Sequence, residues 1–146
     1  MASFLGQYEY QIDPKGRVSL PADFRREADG PRFILLQWED THLTLFPQDV
    51  WDGVQSRILE LRRKSPGAAR HLRRITSRAV NVEPDRQGRI LIPAWLKEAV
   101  GLDGTVLVTG NVDRIEVWNP ATFEAATTVQ EEASEDVGAL AHEIFG

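Results

Sequence analysis

Apolar residues along this chain recur in short runs, and the runs come in two similar sets. Tyr8-Glu9-Tyr10-Gln11-Ile12 alternates and predicts a strand. Asp13-Pro14-Lys15-Gly16 then has Asp, Pro and Gly at the first, second and fourth positions of a type I turn. On this pattern Arg17 to Leu20 returns as the partner strand. Pro21 to about Ala28 reads as one short helix, with Pro near its first turn. Phe33-Ile34-Leu35-Leu36 and Leu43-Thr44-Leu45-Phe46 predict two more strands. The second set keeps this order, with a strand near 79–84, a turn at 85–88, a strand at 89–92, a helix at 93–100, and strands at 105–110 and 113–118.

Helical spacing fills the rest. Residues 47–64 place Val50, Val54, Ile58 and Leu61 on one buried stripe, with arginines opposite. Ser65-Pro66-Gly67 breaks that helix, and Ala68 to about Ser77 resumes as a short basic helix. Near the C-terminus Val129, Ala133, Val137, Leu140 and Ile144 form an apolar stripe beside acidic residues, interrupted by Gly138.

The two sets are copies of one unit. DPKGRVSLPADFR (13–25) and DRQGRILIPAWLK (85–97) align at an offset of 72. The offset pairs Asp13 with Asp85, Gly16 with Gly88, Arg17 with Arg89, Pro21 with Pro93 and Ala22 with Ala94. It also carries Leu43-Thr44-Leu45-Phe46 onto Ile115-Glu116-Val117-Trp118. Two copies are too few for a solenoid, which needs at least about three, so a pseudo-two-fold single domain is expected. The organisation read from the chain is a first repeat at 1–53, a basic helical linker at 54–77, a second repeat at 78–123 and an acidic amphipathic C-terminal helix at 124–146.

Composition excludes several classes. With 146 residues, 42% hydrophobic and 27% charged, the chain is neither disordered nor low-complexity. It has no cysteine, hence no disulfide framework, thiolate metal site or thiol nucleophile. No stretch approaches a membrane span and the N-terminus lacks the pattern of a signal peptide, so a cytoplasmic protein is expected. The net charge of −5 is unevenly spread. Residues 1–97 hold 16 basic and 12 acidic residues, a balance of +4; residues 98–146 hold one basic and 10 acidic, a balance of −9. Such asymmetry suggests a basic working body and an acidic tail.

No catalytic set stands out. Asp13 and Asp85 are a symmetry-related carboxylate pair, but each is followed by an arginine four residues on, which favours the ionised form. His42, His71 and His142 are scattered without metal-ligand spacing, and no phosphate-binding glycine motif occurs. The expectation is a non-enzyme with no metal and no cofactor. Trp38, Trp51, Trp95 and Trp118 read as core or subunit interface rather than base-stacking platforms.

The paired D-x-x-x-R turns resemble those of the MraZ family, relatives of the AbrB and MazE DNA-binding, antitoxin-like modules. The similarity spans nearly the whole chain and includes DPKGRVSLPADFR, HLRRITSRAVNVEPDRQGRILIP and VLVTGNVDRIEVWNP. One D-x-x-x-R is weak evidence; two copies in Gly-Arg-(Val/Ile)-x-(Leu/Ile)-Pro-Ala context are specific. The resemblance implies a mainly β, α+β fold: a swapped-hairpin, AbrB-like double-split β-barrel made of two tandem pseudo-symmetric repeats. It further implies a cytoplasmic, nucleoid-associated regulator that binds short direct repeats in double-stranded DNA. It also implies repression of its own division and cell-wall gene cluster, and assembly into ring-shaped homo-oligomers. No membrane, cofactor or small-molecule partner is implied. The ring's apolar contacts would come from Phe4, Leu5, strand edges and helix stripes.

Site residues follow from the turns. Lys15 and Arg17 in one copy, and Arg86 and Arg89 in the other, put positive charge at or near two hairpin tips, where arginine can bind phosphate or fork onto guanine. In the plainer reading these are local Asp–Arg pairs worth roughly 0–1 kcal/mol each. Duplication and resemblance together favour DNA contact for the basic residues. Asp13 and Asp85 instead cap and orient, and Gly16 and Gly88 take the positive φ where each turn exits. Gln87 stands where Lys15 does in the first copy, and Arg86, opposite Pro14, restores a positive charge there. Arg73, Arg74 and Arg78, in the basic run from Arg57 to Arg78, are secondary DNA-contact candidates; a solvated helix face is the favoured alternative. A protein-interaction module whose apolar tail stripe wraps a partner is the rival function.

Overall fold

The computed structural model describes residues 3–128 and 134–146. The first repeat supplies β1 (Gln7–Gln11), β2 (Arg17–Ser19), α1 (Ala22–Glu27), β3 (Phe33–Glu39) and β4 (His42–Pro47). Two helices follow, α2 (Gln48–Lys64) and α3 (Pro66–Ser77). The second repeat supplies β5 (Val80–Val82), β6 (Arg89–Leu91), α4 (Ala94–Ala99), β7 (Thr105–Asn111) and β8 (Arg114–Trp118), before α5 (Pro120–Thr127) and α6 (Ser134–Phe145).

The strands form a six-stranded antiparallel sheet, order β1-β7-β8-β4-β3-β5, and a separate two-stranded ribbon, β2-β6. The sheet order reads the same when the repeats are exchanged. Each repeat's first strand lies on the other repeat's third, β1 on β7 and β5 on β3, while β4 and β8 pair at the centre. The result is the expected mainly-strand α+β fold of two tandem repeats with exchanged strands.

One local expectation is corrected. Arg17 to Leu20 does not return onto β1; β2 pairs with β6, with Arg17 opposite Leu91, Val18 opposite Ile90 and Ser19 opposite Arg89. The Leu20 N–H donates to the Gly88 carbonyl and the Ile92 N–H to the Gly16 carbonyl, both at 2.8 Å, so each turn is tied to the other repeat. A turn motif says that the chain reverses; which strand receives it is decided by burial. This pairing buries Val18 and Ile90 side by side in the main core with Leu20, Ile92, Phe24, Leu96, Leu35, Leu45, Val106 and Ile115. Each such side chain contributes about 1.5–3 kcal/mol on burial. Phe4 belongs here too, fully buried with its ring edge against Phe24; only its neighbour Leu5 is exposed, so Phe4 is not an intersubunit residue.

On the other face α2 and α3 cover β3 and β4, and α5 packs beside β7 with the Phe123 ring edge-on to Trp118 of β8. Ile34, Leu36 and Phe46 pack there against Val50, Trp51, Val54 and Ile75. The predicted stripe of α2 is only half-buried: Val50 and Val54 pack against the sheet, whereas Leu61, near the far end of the helix, is 47% exposed. The break between α2 and α3 is one residue, not three. The Ser65 side chain accepts from the Ala68 N–H and Pro66 opens α3, a position where its missing N–H costs nothing. In α6 the chain stays helical through Gly138, and Val137, Leu140, Ile144 and Phe145 are exposed. Val129 and Ala133 of the predicted stripe lie outside the described residues. Among the described residues, no helix is long and apolar enough to cross a membrane.

Candidate nucleic-acid interface

The two turns are built alike, from the aspartate outwards. In the first, the Gly16 N–H donates to the Asp13 carbonyl (2.9 Å) and the Asp13 N–H to the Arg17 carbonyl (3.0 Å). Asp13 Oδ1 accepts from the Lys15 and Arg17 N–H groups at 3.0 and 2.8 Å, and Oδ2 accepts from Arg17 Nε at 2.6 Å. In the second, Asp85 Oδ1 accepts from the Gln87 and Arg89 N–H groups, both at 2.9 Å, and Oδ2 from Arg89 Nε at 3.1 Å. The side chains of Lys15 and Gln87 therefore play no part in shaping the turn; their backbone N–H groups do.

These bonds set the electrostatics. The Arg17 backbone N–H, then its guanidinium and the Lys15 N–H, hold the Asp13 carboxyl below its ordinary value against a smaller opposing effect of burial. The Arg89 and Gln87 N–H groups and the Arg89 guanidinium do the same for Asp85. The ionised form of both aspartates is thus favoured, and each carboxylate holds the arginine four residues on. Gly16 and Gly88 sit at φ +88° and +77°, the left-handed region that favours glycine.

The ribbon joins the two turns. Alternation along β2 and β6 turns Val18 and Ile90 inward and leaves Arg17, Ser19, Arg89 and Leu91 on one outer face. Arg17 and Arg89 lie diagonally across it, their side chains 34% and 27% exposed. Arg89 Nη1 also reaches Asp13 Oδ2 at 3.9 Å, so one carboxylate orients an arginine from each repeat. Lys15 and Arg86 are exposed in the turns at either end. Arg17 and Arg89 stand near the hairpin tips, at the first ribbon position after each turn.

The secondary candidates divide. Arg73 and Arg74 are exposed on α3. Arg78 is engaged: its Nη2 donates to the Trp95 carbonyl, and Trp95 Nε1 donates to the Arg78 carbonyl, both at 3.0 Å. Two groups of residues escaped the sequence reading. Arg25, whose Nε donates to the Leu20 carbonyl at 3.1 Å, lies against Gly88 of the second turn. Its signal was present, because Arg25 and Lys97 are both basic at the last position of the two aligned copies. The second group is Glu39, His42 and Glu116, which meet at the joint between the repeats although their spacing along the chain suggests nothing.

Two exchanged α+β repeats, each presenting an Asp-clamped arginine to a shared ribbon, define a class of tandem-repeat, swapped-strand proteins. Residues 3–74 and 75–141 each match the model of the family described as "MraZ protein, putative antitoxin-like". The chain belongs to the MraZ family. It is 34% identical over 134 residues to the "Transcriptional regulator MraZ" of Leuconostoc citreum, covering 92% of this chain and 93% of the relative. It is 38% identical over 122 residues to the protein of the same name from Thermomicrobium roseum, covering 84% and 85%. A third relative so named, from Desulfitobacterium hafniense, is 38% identical over 130 residues, covering 89% and 90%.

Proposed function

We propose that this protein is a transcription regulator that binds double-stranded DNA through the outer face of the β2–β6 ribbon. The observation that carries the reading is the shared face: Arg17 and Arg89, one per repeat, each held by an ionised aspartate, with Lys15 and Arg86 exposed beside them. Four cations against two carboxylates leave the face net positive although the chain is acidic. The aspartates bind the arginines through Nε, which fixes the guanidinium plane ahead of contact and reduces the ordering cost on binding. A pseudo-two-fold face suits adjacent phosphates or base edges in one groove.

The names of the relatives support regulation of transcription. Sequence-specific binding of short direct repeats, repression of the protein's own division and cell-wall cluster, association with the nucleoid and a ring-shaped homo-oligomer rest on the family resemblance. Exposed Leu5, Val137, Leu140, Ile144 and Phe145, away from the ribbon face, supply apolar surface that self-association would cover. In a ring, several weakly binding ribbons would act together, and avidity would supply the affinity.

A gel-shift titration with the DNA immediately upstream of this gene tests the reading, with unrelated DNA as competitor and sedimentation to count subunits. Sequence-preferring binding by an oligomer is expected. A well-folded protein that shows no preference for that DNA would shift the function to protein interaction through α6.

A further inference from the structure

At the centre of the sheet, where β4 of the first repeat meets β8 of the second, His42 stands opposite Trp118. The His42 side chain is 3% exposed. Its ring stacks on Trp118 with centroids 4.0 Å apart, and its Nδ1 lies 2.8 Å from Thr41 Oγ1. The other ring nitrogen, Nε2, lies 3.1 Å from Glu116 Oε2 and 3.2 Å from Glu39 Oε2. One ligand atom from each of the three residues falls within 4.8 Å of the others. Nε2 is buried at ion-pair distance from both carboxylates, yet neither oxygen meets it with good hydrogen-bond alignment. The oxygens are close enough; they lie to the side of the direction in which a ring N–H would point. A buried nitrogen so placed between two carboxylates calls for a ligand or a reason.

We propose that Glu39, His42 and Glu116 form a binding site for one divalent transition cation of the zinc type, bridging the two repeats. Ligands about 2.0–2.2 Å from a tetrahedral metal stand roughly 3.3–3.5 Å apart, so the two His42–carboxylate separations need to open by only a few tenths of an ångström. Thr41 Oγ1 can accept from Nδ1–H, which fixes the tautomer whose lone pair is on Nε2. Asn111 Nδ2 donates to Glu116 Oε2 at 3.2 Å and Trp118 Nε1 donates to Oε1 at 3.1 Å, so this part-buried ligand is oriented by its own outer partners. Glu39, with its side chain 45% exposed, provides the entry path. One imidazole with two carboxylates suits zinc, cobalt, manganese or ferrous iron, whereas calcium and magnesium prefer all-oxygen sets and cuprous copper prefers sulfur.

Repeat symmetry sets the stoichiometry. At the offset of 72, Glu39 corresponds to Asn111, His42 to Arg114 and Glu116 to Thr44, which is no ligand set. The site is therefore single, and it spans the joint where the two halves meet.

The test is a calorimetric titration of the full chain with zinc after chelator treatment, beside thermal unfolding with and without zinc. Saturation at one ion per chain is expected, with a raised unfolding midpoint that chelator reverses. Glu39→Gln alters an exposed side chain, so it should leave the metal-free midpoint near wild type while weakening zinc binding by at least about tenfold. Glu116→Gln should weaken it similarly. Absence of binding, or binding unchanged in both variants, would overturn the proposal and leave His42 a buried partner of the two carboxylates.

Discussion

Asp13 and Asp85 hold their turns with the same set of bonds, but the walls around the two turns differ. A methyl group added at Gly16 would meet the Ile92 carbonyl oxygen at 2.6 Å, whereas at Gly88 it would meet the Arg25 guanidinium at 2.7–2.9 Å. The first turn is walled by backbone and the second by the far end of a movable side chain. Duplication has kept what shapes the turn, the aspartate, the glycine and the following arginine, and has let the enclosure diverge. The first turn is the more rigid half of the ribbon, and its Asp13 serves arginines of both repeats.

The largest effect expected from this difference is at Gly16. Gly16→Ala combines left-handed strain with a backbone clash that cannot relax without breaking the ribbon, and should cost about 2–4 kcal/mol in urea unfolding. Gly88→Ala meets the same strain at a softer wall, and should cost about 1–2 kcal/mol. Adding Arg25→Ala to each variant sharpens the contrast. It should recover stability in the Gly88→Ala background and none in the Gly16→Ala background, with the coupling read by a double-mutant cycle. Equal costs at both glycines, with no coupling to Arg25, would mean that the walls are equivalent after all.

Acid should expose what the turns share. Both carboxyls are held below their ordinary value of 3.8, so the fold favours their ionised form. Their contribution is complete above the unfolded value, and it is lost as pH falls through 3.8 to the lower folded values. The stability gap between wild type and Asp13→Asn/Asp85→Asn should hold steady above pH about 5 and close as pH falls below about 4. A gap of constant size across that range would mean that the carboxylates' charge does not stabilise the turns. The smallest stability effect is expected for Arg17→Gln and Arg89→Gln, each within about 1 kcal/mol, because part-exposed ion pairs contribute little.

What was legible in the sequence is what short range determines. Asp-Pro-Lys-Gly and Asp-Arg-Gln-Gly specify their turns from four residues each, and the repeat of GR-x-x-x-PA placed equivalent arginines in equivalent settings. The partner of β2 was not legible, because its ladder is made with residues 70 to 74 positions away and is selected by burying Val18 against Ile90. For the same reason Phe4 read as surface: its pocket against Phe24 and its bridge to Val112 exist only once both repeats have folded. Leu61 had the right period in α2 and is exposed all the same, because period places a residue on a face without saying how far the covering surface extends. The Glu39, His42 and Glu116 cluster joins two residues three apart to a third on the other repeat, and only the folded sheet brings that third residue to them.

A ribbon face that reads DNA must show itself in the salt dependence of binding. Affinity for the upstream DNA is measured by fluorescence anisotropy at several salt concentrations, for wild type and Arg17→Gln/Arg89→Gln. Each lost phosphate contact lowers the log–log slope by about 1, so the double variant should keep a normal unfolding midpoint, bind more weakly and show a slope shallower by about 2. An unchanged affinity and slope in a folded double variant would contradict DNA reading by the ribbon.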